Sequence, residues 1–231
     1  MLNFFDDYER SARIYPAILL SIPIIITCYS FSALVNSPLF TKITSSSIIV
    51  LVGVVLLSNV VRFFGKKIEP IIWEKWGGAP STRFLRKDDR TLAREMKDVF
   101  YQKVLQEAKI DLLNDLTDER IEQALKFVRN VLYNKDKTGL WRKSNKEYGF
   151  ARNLMGSRWV WVILSFGLAL ACWFSIRYFP SDINNLIVGA ILNACCGLGA
   201  ILCGWCILPG LTKGIAERYA EQAIISYINL K

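Results

Sequence analysis

The stretch of sequence that decides the fold is residues 184–211, NNLIVGAILNACCGLGAILCGWCILPGL, near the end of a 231-residue chain. It contains no Asp, Glu, Lys or Arg. A helix rises about 1.5 Å per residue, so about 20 residues cross the roughly 30 Å hydrocarbon core of a bilayer. This stretch is therefore predicted to span a membrane as a helix.

Three earlier runs have the same apolar character, namely residues 14–35, 43–64 and 159–179. None shows the polar side that an amphipathic helix of a soluble core would need. The chain is 52% hydrophobic yet carries 29 Lys+Arg and 20 Asp+Glu, so apolar and charged residues must be segregated along the sequence. We predict an all-α integral membrane protein whose four spans, with 184–211 as the last, form a four-helix bundle.

The distribution of Lys and Arg predicts the orientation of these spans. Residues 65–158 hold 21 of the 29 basic and 14 of the 20 acidic residues, whereas the connections on the other side offer only Lys42 and Arg177. Because cytoplasmic loops carry the excess of positive charge in membrane proteins, residues 65–158 are predicted to be cytoplasmic. Four spans then place both termini on the cytoplasmic side.

This topology divides the chain into five predicted segments. They are a cytoplasmic N-terminal segment (1–13), a transmembrane hairpin (14–64), a cytoplasmic basic helical domain inserted between spans two and three (65–158), a second transmembrane hairpin (159–211) and a cytoplasmic C-terminal helix (212–231). Apolar periodicity within the domain predicts helices over 89–113 and 118–133, the second capped by Thr117. Their single apolar faces would bury better in an oligomer, so we expect a homo-oligomer.

The sequence CGWC, from Cys203 to Cys206, raises the alternative of a redox dithiol. Cys203 lies eight residues before Leu211, so it would lie about 12 Å inside the cytoplasmic end of the last span. A reactive dithiol needs a stabilised thiolate and access to partners, and a low-dielectric site disfavours the thiolate. The chain also has no His, which removes the commonest general base and metal ligand. We expect no catalytic residues, metal or cofactor.

Residue spacing offers another explanation for these cysteines. A series at intervals of three and four runs along the last span, and apart from Leu192 its members are small: Gly189, Cys196, Gly199, Cys203 and Cys206. Such spacing places them on one helical face, and small faces let membrane helices approach closely. We predict a helix-packing seam along this face.

Polar residues inside the predicted spans have two interpretations. They are Ser30, Ser58, Asn59 and Asn193. In lipid these groups must be satisfied by other helices or by water. Interhelical hydrogen bonds are the simpler account, and a polar conduit through a bundle or an oligomer is the alternative.

A cluster of helix breakers follows the second span. Its glycines and hydroxyl residues precede basic side chains, and the residues concerned are Gly77, Gly78, Ser81, Thr82, Arg83, Arg86 and Lys87. The glycines and the proline between them and Ser81 are sufficient to end one helix and begin the next. Free backbone amides beside positive charge could also bind a phosphate or another anion, although the ending of a P-loop is absent. A site for an anion, a ligand or a partner is therefore a second interpretation.

The same segment, WEKWGGAPSTRFLR, resembles a stretch of uncharacterised bacterial multi-span membrane proteins. The likeness is carried by Trp76, Gly77, Gly78, Pro80, Ser81, Thr82, Leu85 and Arg86, about a dozen positions of the chain. Some of those proteins belong to anti-phage defence loci. The resemblance implies a bacterial inner-membrane protein and supplies no catalytic residues.

These observations favour a membrane effector or accessory subunit. Its oligomeric bundle would change membrane permeability when the cytoplasmic domain senses a signal or a partner. The alternatives are a membrane anchor that recruits a cytoplasmic protein and, with least support, an intramembrane thiol redox enzyme. Expected partners are anionic lipid headgroups, further copies of the chain and a cytoplasmic protein; nucleic acid is not expected, because no binding motif is present.

Overall fold

The computed structural model of the chain describes residues 7–31, 47–136 and 139–230, and this part is helical with no strand. The helices are α1 (Asp7–Ser30), α2 (Ser47–Lys75), α3 (Pro80–Phe84), α4 (Arg94–Ala108), α5 (Asp118–Lys135), α6 (Leu140–Gly156), α7 (Arg158–Ser175), α8 (Ile183–Ile201) and α9 (Leu208–Ile228). Two π-helical turns, Arg10–Ile14 within α1 and Leu202–Ile207 between α8 and α9, interrupt the regular pattern. The expected all-α class is confirmed for the described residues.

Three helices of the described chain are long and apolar enough to cross a membrane: Asp7–Ser30, Arg158–Ser175 and Pro180–Ile228. The described residues therefore supply three candidate spans, one fewer than the four predicted. Residues 43–46 of the predicted span 43–64 lie outside the described residues, and 32–35 of the span 14–35 do as well. The described part of the predicted span 43–64 belongs to helix α2, which continues beyond residue 64 to Lys75. The second half of α2 carries several charged residues.

The last candidate helix is much longer than the predicted span 184–211. It runs without a break from Pro180 to Ile228, so no loop separates a membrane span from a C-terminal helix at 211–212. The breakers in this region, Pro209 and Gly210, lie inside the helix. Pro209 has no N–H to donate, and the π-turn Leu202–Ile207 directly before it accommodates this residue within the continuous helix.

Both π-turns precede a proline and leave a carbonyl without its usual donor. The Tyr15 N–H bonds Arg10 O, and the Leu208 N–H bonds Cys203 O, each five residues back. The next residues, Pro16 and Pro209, have no N–H to continue either ladder.

Side chains near the α6–α7 junction occupy these freed carbonyls. Asn153 Nδ2 donates to Ala12 O at 2.7 Å, and Arg158 Nη1 donates to Gly204 O at 3.0 Å. Because a buried carbonyl without a donor is costly, these two bonds stabilise the irregular turns.

Contacts between atoms divide the chain into two compact units: Met1–Lys67 with Gly149–Leu211, and Ile68–Tyr148 with Thr212–Lys231. In the first unit α8 packs against α1 and α7. A Cβ added at Gly189 would lie 2.7 Å from Ser30 Cβ, and one added at Gly197 would lie 2.7 Å from the Phe166 ring. Glycine is therefore required at both positions for this close approach.

A second close crossing in the first unit joins α2 and α6. A Cβ on Gly156 would lie 2.5 Å from Phe64 O and 2.6 Å from Gly65 N, so backbone meets backbone there. One turn earlier, Asn153 Cα lies 2.8 Å from the Cβ position of Gly65. Because neither glycine has a Cβ, α2 and α6 can approach this closely at the crossing.

The second unit has its own apolar core. Helices α4, α5 and α9 contribute most of it, with Phe100, Val104, Ile121, Val128, Leu132, Ala220, Ile224 and Tyr227 among its buried residues. Thr117 caps α5 as predicted, since its hydroxyl accepts a bond from Arg120 N. Helix α4 is shorter than the predicted 89–113 at both ends: it begins at Arg94, and it ends at Ala108 because Lys109 adopts a left-handed conformation with φ of 59°.

The end of α9 is anchored to this core by a lysine. Lys103 Nζ donates to the carbonyls of Tyr227 at 2.9 Å and Ile228 at 3.2 Å, and also to that of Leu230. A lysine that binds the last carbonyls of a helix satisfies groups that have no intrahelical donor. The segment predicted as a separate C-terminal helix thus packs with the middle of the chain.

Candidate functional site

The predicted anion site lies at the corner between α2 and α3. Gly77 (φ 78°) and Gly78 (φ 120°) end α2, and Gly78 N donates to Trp73 O at 2.8 Å. Both φ values are ones that side chains other than glycine's rarely tolerate, so the two glycines are needed for the turn. Pro80 then begins α3.

The two arginines of this corner are engaged by acidic side chains of the second unit. Arg83 bonds Glu217 Oε1 at 2.7 Å and Trp76 O at 3.0 Å. Arg86 forms a two-pronged pair with Asp118, at 2.9 and 2.6 Å, and also binds Gly77 O. The hydrogen bond from Arg86 lowers the pKa of Asp118 and the same contact raises the pKa of Arg86.

These contacts give both arginines of the predicted anion site partners within the chain. Arg83 and Arg86 hold the turn in place and are neutralised by carboxylates, while Thr82 is buried. An incoming phosphate would have to displace Glu217 and Asp118. Gly77, Gly78 and Arg86 thus form a structural corner, and of the predicted set Lys87 alone lines the cleft described next.

An open cleft of about 820 Å³ lies beside this corner, between the segment that follows α3 and the loop that follows α4. This volume is within the range of small-molecule sites. Its apolar floor consists of Leu92, Leu112, Leu116 and the ring of Tyr101. The Tyr101 hydroxyl donates to Leu85 O at 2.5 Å, and burial, with the nearby charge of Asp98, raises the pKa of Tyr101 to about 12.

Four basic residues line the cleft. Lys87, Arg90 and Arg94 are exposed and form no hydrogen bond or ion pair with any described residue. The fourth, Lys97, is only 5% exposed, and its ammonium donates to Arg86 O at 2.7 Å and Asp89 O at 2.5 Å. The cleft thus combines free positive charge at its rim with apolar surface below.

Two acidic residues also line the cleft. Asp89 is engaged, because its carboxylate accepts from Thr91 N at 2.8 Å and lies 3.5 Å from Arg83 Nε. Asp98 is exposed and has no such partner among the described residues. The basic residues therefore outnumber the one free carboxylate.

The polar residues predicted as a conduit are arranged in two ways. Asn193 Nδ2 donates to Thr27 Oγ1 at 2.9 Å, which links α8 to α1. Ser30 and Ser58 donate to carbonyls of their own helices, Ile26 O and Val55 O, both at 2.8 Å. Asn59 is exposed. The geometry supplies one interhelical hydrogen bond and does not bring the four residues into a single row of contacts.

The predicted small-residue seam is divided between two faces. Gly189 lies at the close contact with α1 and α7, whereas a Cβ on Gly199 would meet nothing within 4 Å. The buried face of α8 instead follows Leu186, Ala190, Asn193, Gly197 and Ala200. Within this chain, therefore, the contact face is rotated by about one residue from the predicted one.

The sequence CGWC forms the second π-turn. Cys203 is half-buried and Cys206 is exposed, and all six cysteines are free thiols. A π-turn holds one more residue than an α-turn, so the spacing of three and four cannot keep both cysteines on the face of Gly189. Trp205 between them packs edge-on against Trp159 at 4.7 Å and under the Arg158 guanidinium at 4.5 Å.

Sequence patterns missed the cleft. In the sequence Lys97 is one charge of a basic segment, and its burial depends on carbonyls eight and eleven residues earlier in the chain. The cluster of cations at Lys87, Arg90 and Arg94 is a signal that the sequence does contain. The apolar floor beneath it comes partly from the loop after α4, which lies about twenty residues further on.

Comparison with family models, curated proteins and solved structures gave no match to this chain.

Proposed function

We propose that this protein is a membrane-embedded effector or accessory subunit that senses a signal with its second unit and alters membrane permeability. The observation that supports the proposal most is the combination of three helices able to span a membrane with a separately packed helical unit bearing an open, basic cleft. A membrane anchor needs only the membrane-spanning helices, not the unit that bears the cleft. A sensor needs both.

The proposed topology has four spans, with α2 as the second, and both termini in the cytoplasm of a bacterial inner membrane. The excess of Lys and Arg between α2 and α7 supports this orientation. A role in anti-phage defence is the biological setting suggested by the resemblance of the corner segment. Reporter fusions at Lys87, Lys137 and the C-terminus should all report the cytoplasm, and one at Lys42 the outside.

Permeability change requires association of several copies, and the outer face of α8 is the proposed contact. Cys195 on this face is exposed, and a Cβ on Gly199 would meet no atom of the described residues within 4 Å. Small residues favour close helix association in lipid. Anionic headgroups would be the other membrane partner. A cytoplasmic partner protein remains the alternative signal.

A paired substitution tests the effector proposal. Gly199→Leu adds a branched side chain at the proposed contact, and Ile201→Leu replaces one exposed apolar residue by another on the same helix. Purified protein should be oligomeric in detergent and should release dye from liposomes; Gly199→Leu should abolish both properties and Ile201→Leu neither. A monomeric protein that releases no dye would instead support the second candidate, a membrane anchor that recruits a partner.

A further inference from the structure

We propose that the cleft lined by Lys87, Arg90, Arg94 and Lys97 binds a small molecule that carries both phosphate and a flat apolar group, as a nucleotide does. The proposal rests on the proposed function, because it names the chemical class of the signal. It concerns the second unit alone.

The buried lysine is the first argument. Lys97 is 5% exposed and forms no ion pair with any described residue; its ammonium donates to two neutral carbonyls, Arg86 O and Asp89 O. An ammonium has three N–H donors, so one donor remains after these two bonds. Buried charges in proteins are normally paired with an opposite charge. An anion in the cleft would supply the missing partner.

The rim supplies the rest of the charge that a phosphate requires. Lys87, Arg90 and Arg94 have no internal partner, unlike Arg83 and Arg86, whose charges are taken by carboxylates. Guanidinium groups match phosphate oxygens in geometry, often through two parallel hydrogen bonds. Three unpaired cations at one opening make the binding of phosphate more favourable than that of a neutral ligand.

The floor and the size of the cleft define the rest of the ligand. Leu92, Leu112 and Leu116 provide apolar surface that inorganic phosphate would leave uncovered. The volume of about 820 Å³ accommodates a molecule of nucleotide size with water around it. An acidic peptide would extend beyond the opening and would not need the apolar floor.

Three probes separate these contributions in the full-length protein in detergent. Titration calorimetry compares ATP, which carries both the phosphates and the apolar base, with pyrophosphate, which carries the charge alone, and with adenosine, which carries the base alone. We expect ATP to bind at least about tenfold more tightly than either fragment. Equal binding of pyrophosphate would remove the apolar floor from the proposal, and equal binding of adenosine would refute the role of the cations.

Charge-reversal variants test the location. Arg94→Glu should weaken ATP binding by about tenfold or more, because an attractive charge at the rim becomes a repulsive one. Lys126→Glu is the matched control: Lys126 is exposed on α5, has no partner among the described residues and does not line the cleft. An equal loss in both variants would show general electrostatic attraction and would refute a site.

A substitution that removes a negative charge should have the opposite effect on ATP binding. Asp98→Asn removes the one unpaired carboxylate that lines the cleft, so ATP binding should tighten about two- to fivefold. Unchanged or weaker binding would place the phosphate elsewhere. Neither Arg94 nor Asp98 makes a contact that the fold requires, so both variants should fold.

The outcomes for the ligand and for the effector can be told apart. Dye release without ATP binding, or tighter binding of a polyglutamate peptide than of ATP, would overturn the ligand assignment and leave the effector proposal standing. ATP binding that follows the variant pattern in a protein that never releases dye would support the cleft and refute the effector. Binding of none of the probes would refute the proposal.

Discussion

Replacing Gly189 by alanine tests the closest contact of α8 with its neighbours. A Cβ at this position would lie 2.7 Å from Ser30 Cβ and 3.5 Å from Cys172 Sγ. Two carbon atoms in ordinary contact are about 3.5–4.0 Å apart. One methyl group therefore forces α8 and α1 roughly 1 Å apart, or displaces the end of α1.

The magnitude follows from two opposing effects. Overpacking by a methylene group commonly costs about 1–3 kcal/mol. Separation of the helices would also strain the Asn193–Thr27 hydrogen bond. Interhelical hydrogen bonds of this kind contribute about 0.6 kcal/mol in membrane proteins. Glycine to alanine gains about 1 kcal/mol of helix propensity. We expect a net loss of about 1–2 kcal/mol in the free energy of unfolding.

Gly199→Ala is the matched control, because it carries the same propensity gain and its Cβ would meet nothing within 4 Å. Unfolding in mixed micelles, at a dilution where the chain is monomeric, should show Gly189→Ala less stable than Gly199→Ala by about 2–3 kcal/mol. Ser30→Gly in the Gly189→Ala background should recover part of the difference, because it removes the clashing Cβ. Equal stability of the two alanine variants would refute the proposed packing.

Further predictions concern the π-turn, the cysteines and the acid sensitivity of the second unit. Arg158→Met should cost about 1–3 kcal/mol in the free energy of unfolding, because it removes the donor to the buried carbonyl of Gly204. The cost should be smaller in a Pro209→Ala background, where the restored backbone N–H can replace the arginine as donor. Identical costs in both backgrounds, measured by unfolding in micelles, would contradict this account. Cys203→Ser combined with Cys206→Ser should leave assembly and dye release intact, and their complete loss in a well-expressed protein would revive the redox alternative. The pKa of Asp118 is lowered in the folded chain. Its pair with Arg86 therefore stabilises the protein fully above the carboxyl's unfolded pKa of about 3.9, and this contribution is lost as pH falls through the lower folded pKa. The free energy of unfolding should fall less steeply with decreasing pH below about 4 in Asp118→Asn than in the wild type, and an equal slope would count against the pair.

The local sequence was sufficient for several features of this protein. Uninterrupted apolar runs predicted the membrane-length helices around 14–30, 159–175 and 184–211, because length and composition alone set whether a helix can cross a bilayer. Thr117 before two acidic residues predicted the start of α5, and Gly77-Gly78 predicted the end of the preceding helix. Caps and glycine turns are local, since their hydrogen bonds join residues a few positions apart.

The tertiary structure decided which residues meet. Spacing placed Gly189 and Gly199 on one face, yet among the described residues a neighbouring helix lies against Gly189 and none lies within 4 Å of a Cβ on Gly199. The π-turn changes the helical phase beyond Leu202, and a regular period cannot predict that change. Its stability depends on Arg158, 46 residues away from the carbonyl that it binds.

The same distinction separates the corner from the cleft. Sequence could show that Arg83 and Arg86 are basic and close to a glycine turn, but the carboxylates that neutralise them are 134 and 32 residues distant. Lys97 became a candidate only through its burial. A side chain's charge is fixed by its identity, whereas its availability to a ligand depends on which distant groups the fold brings to it.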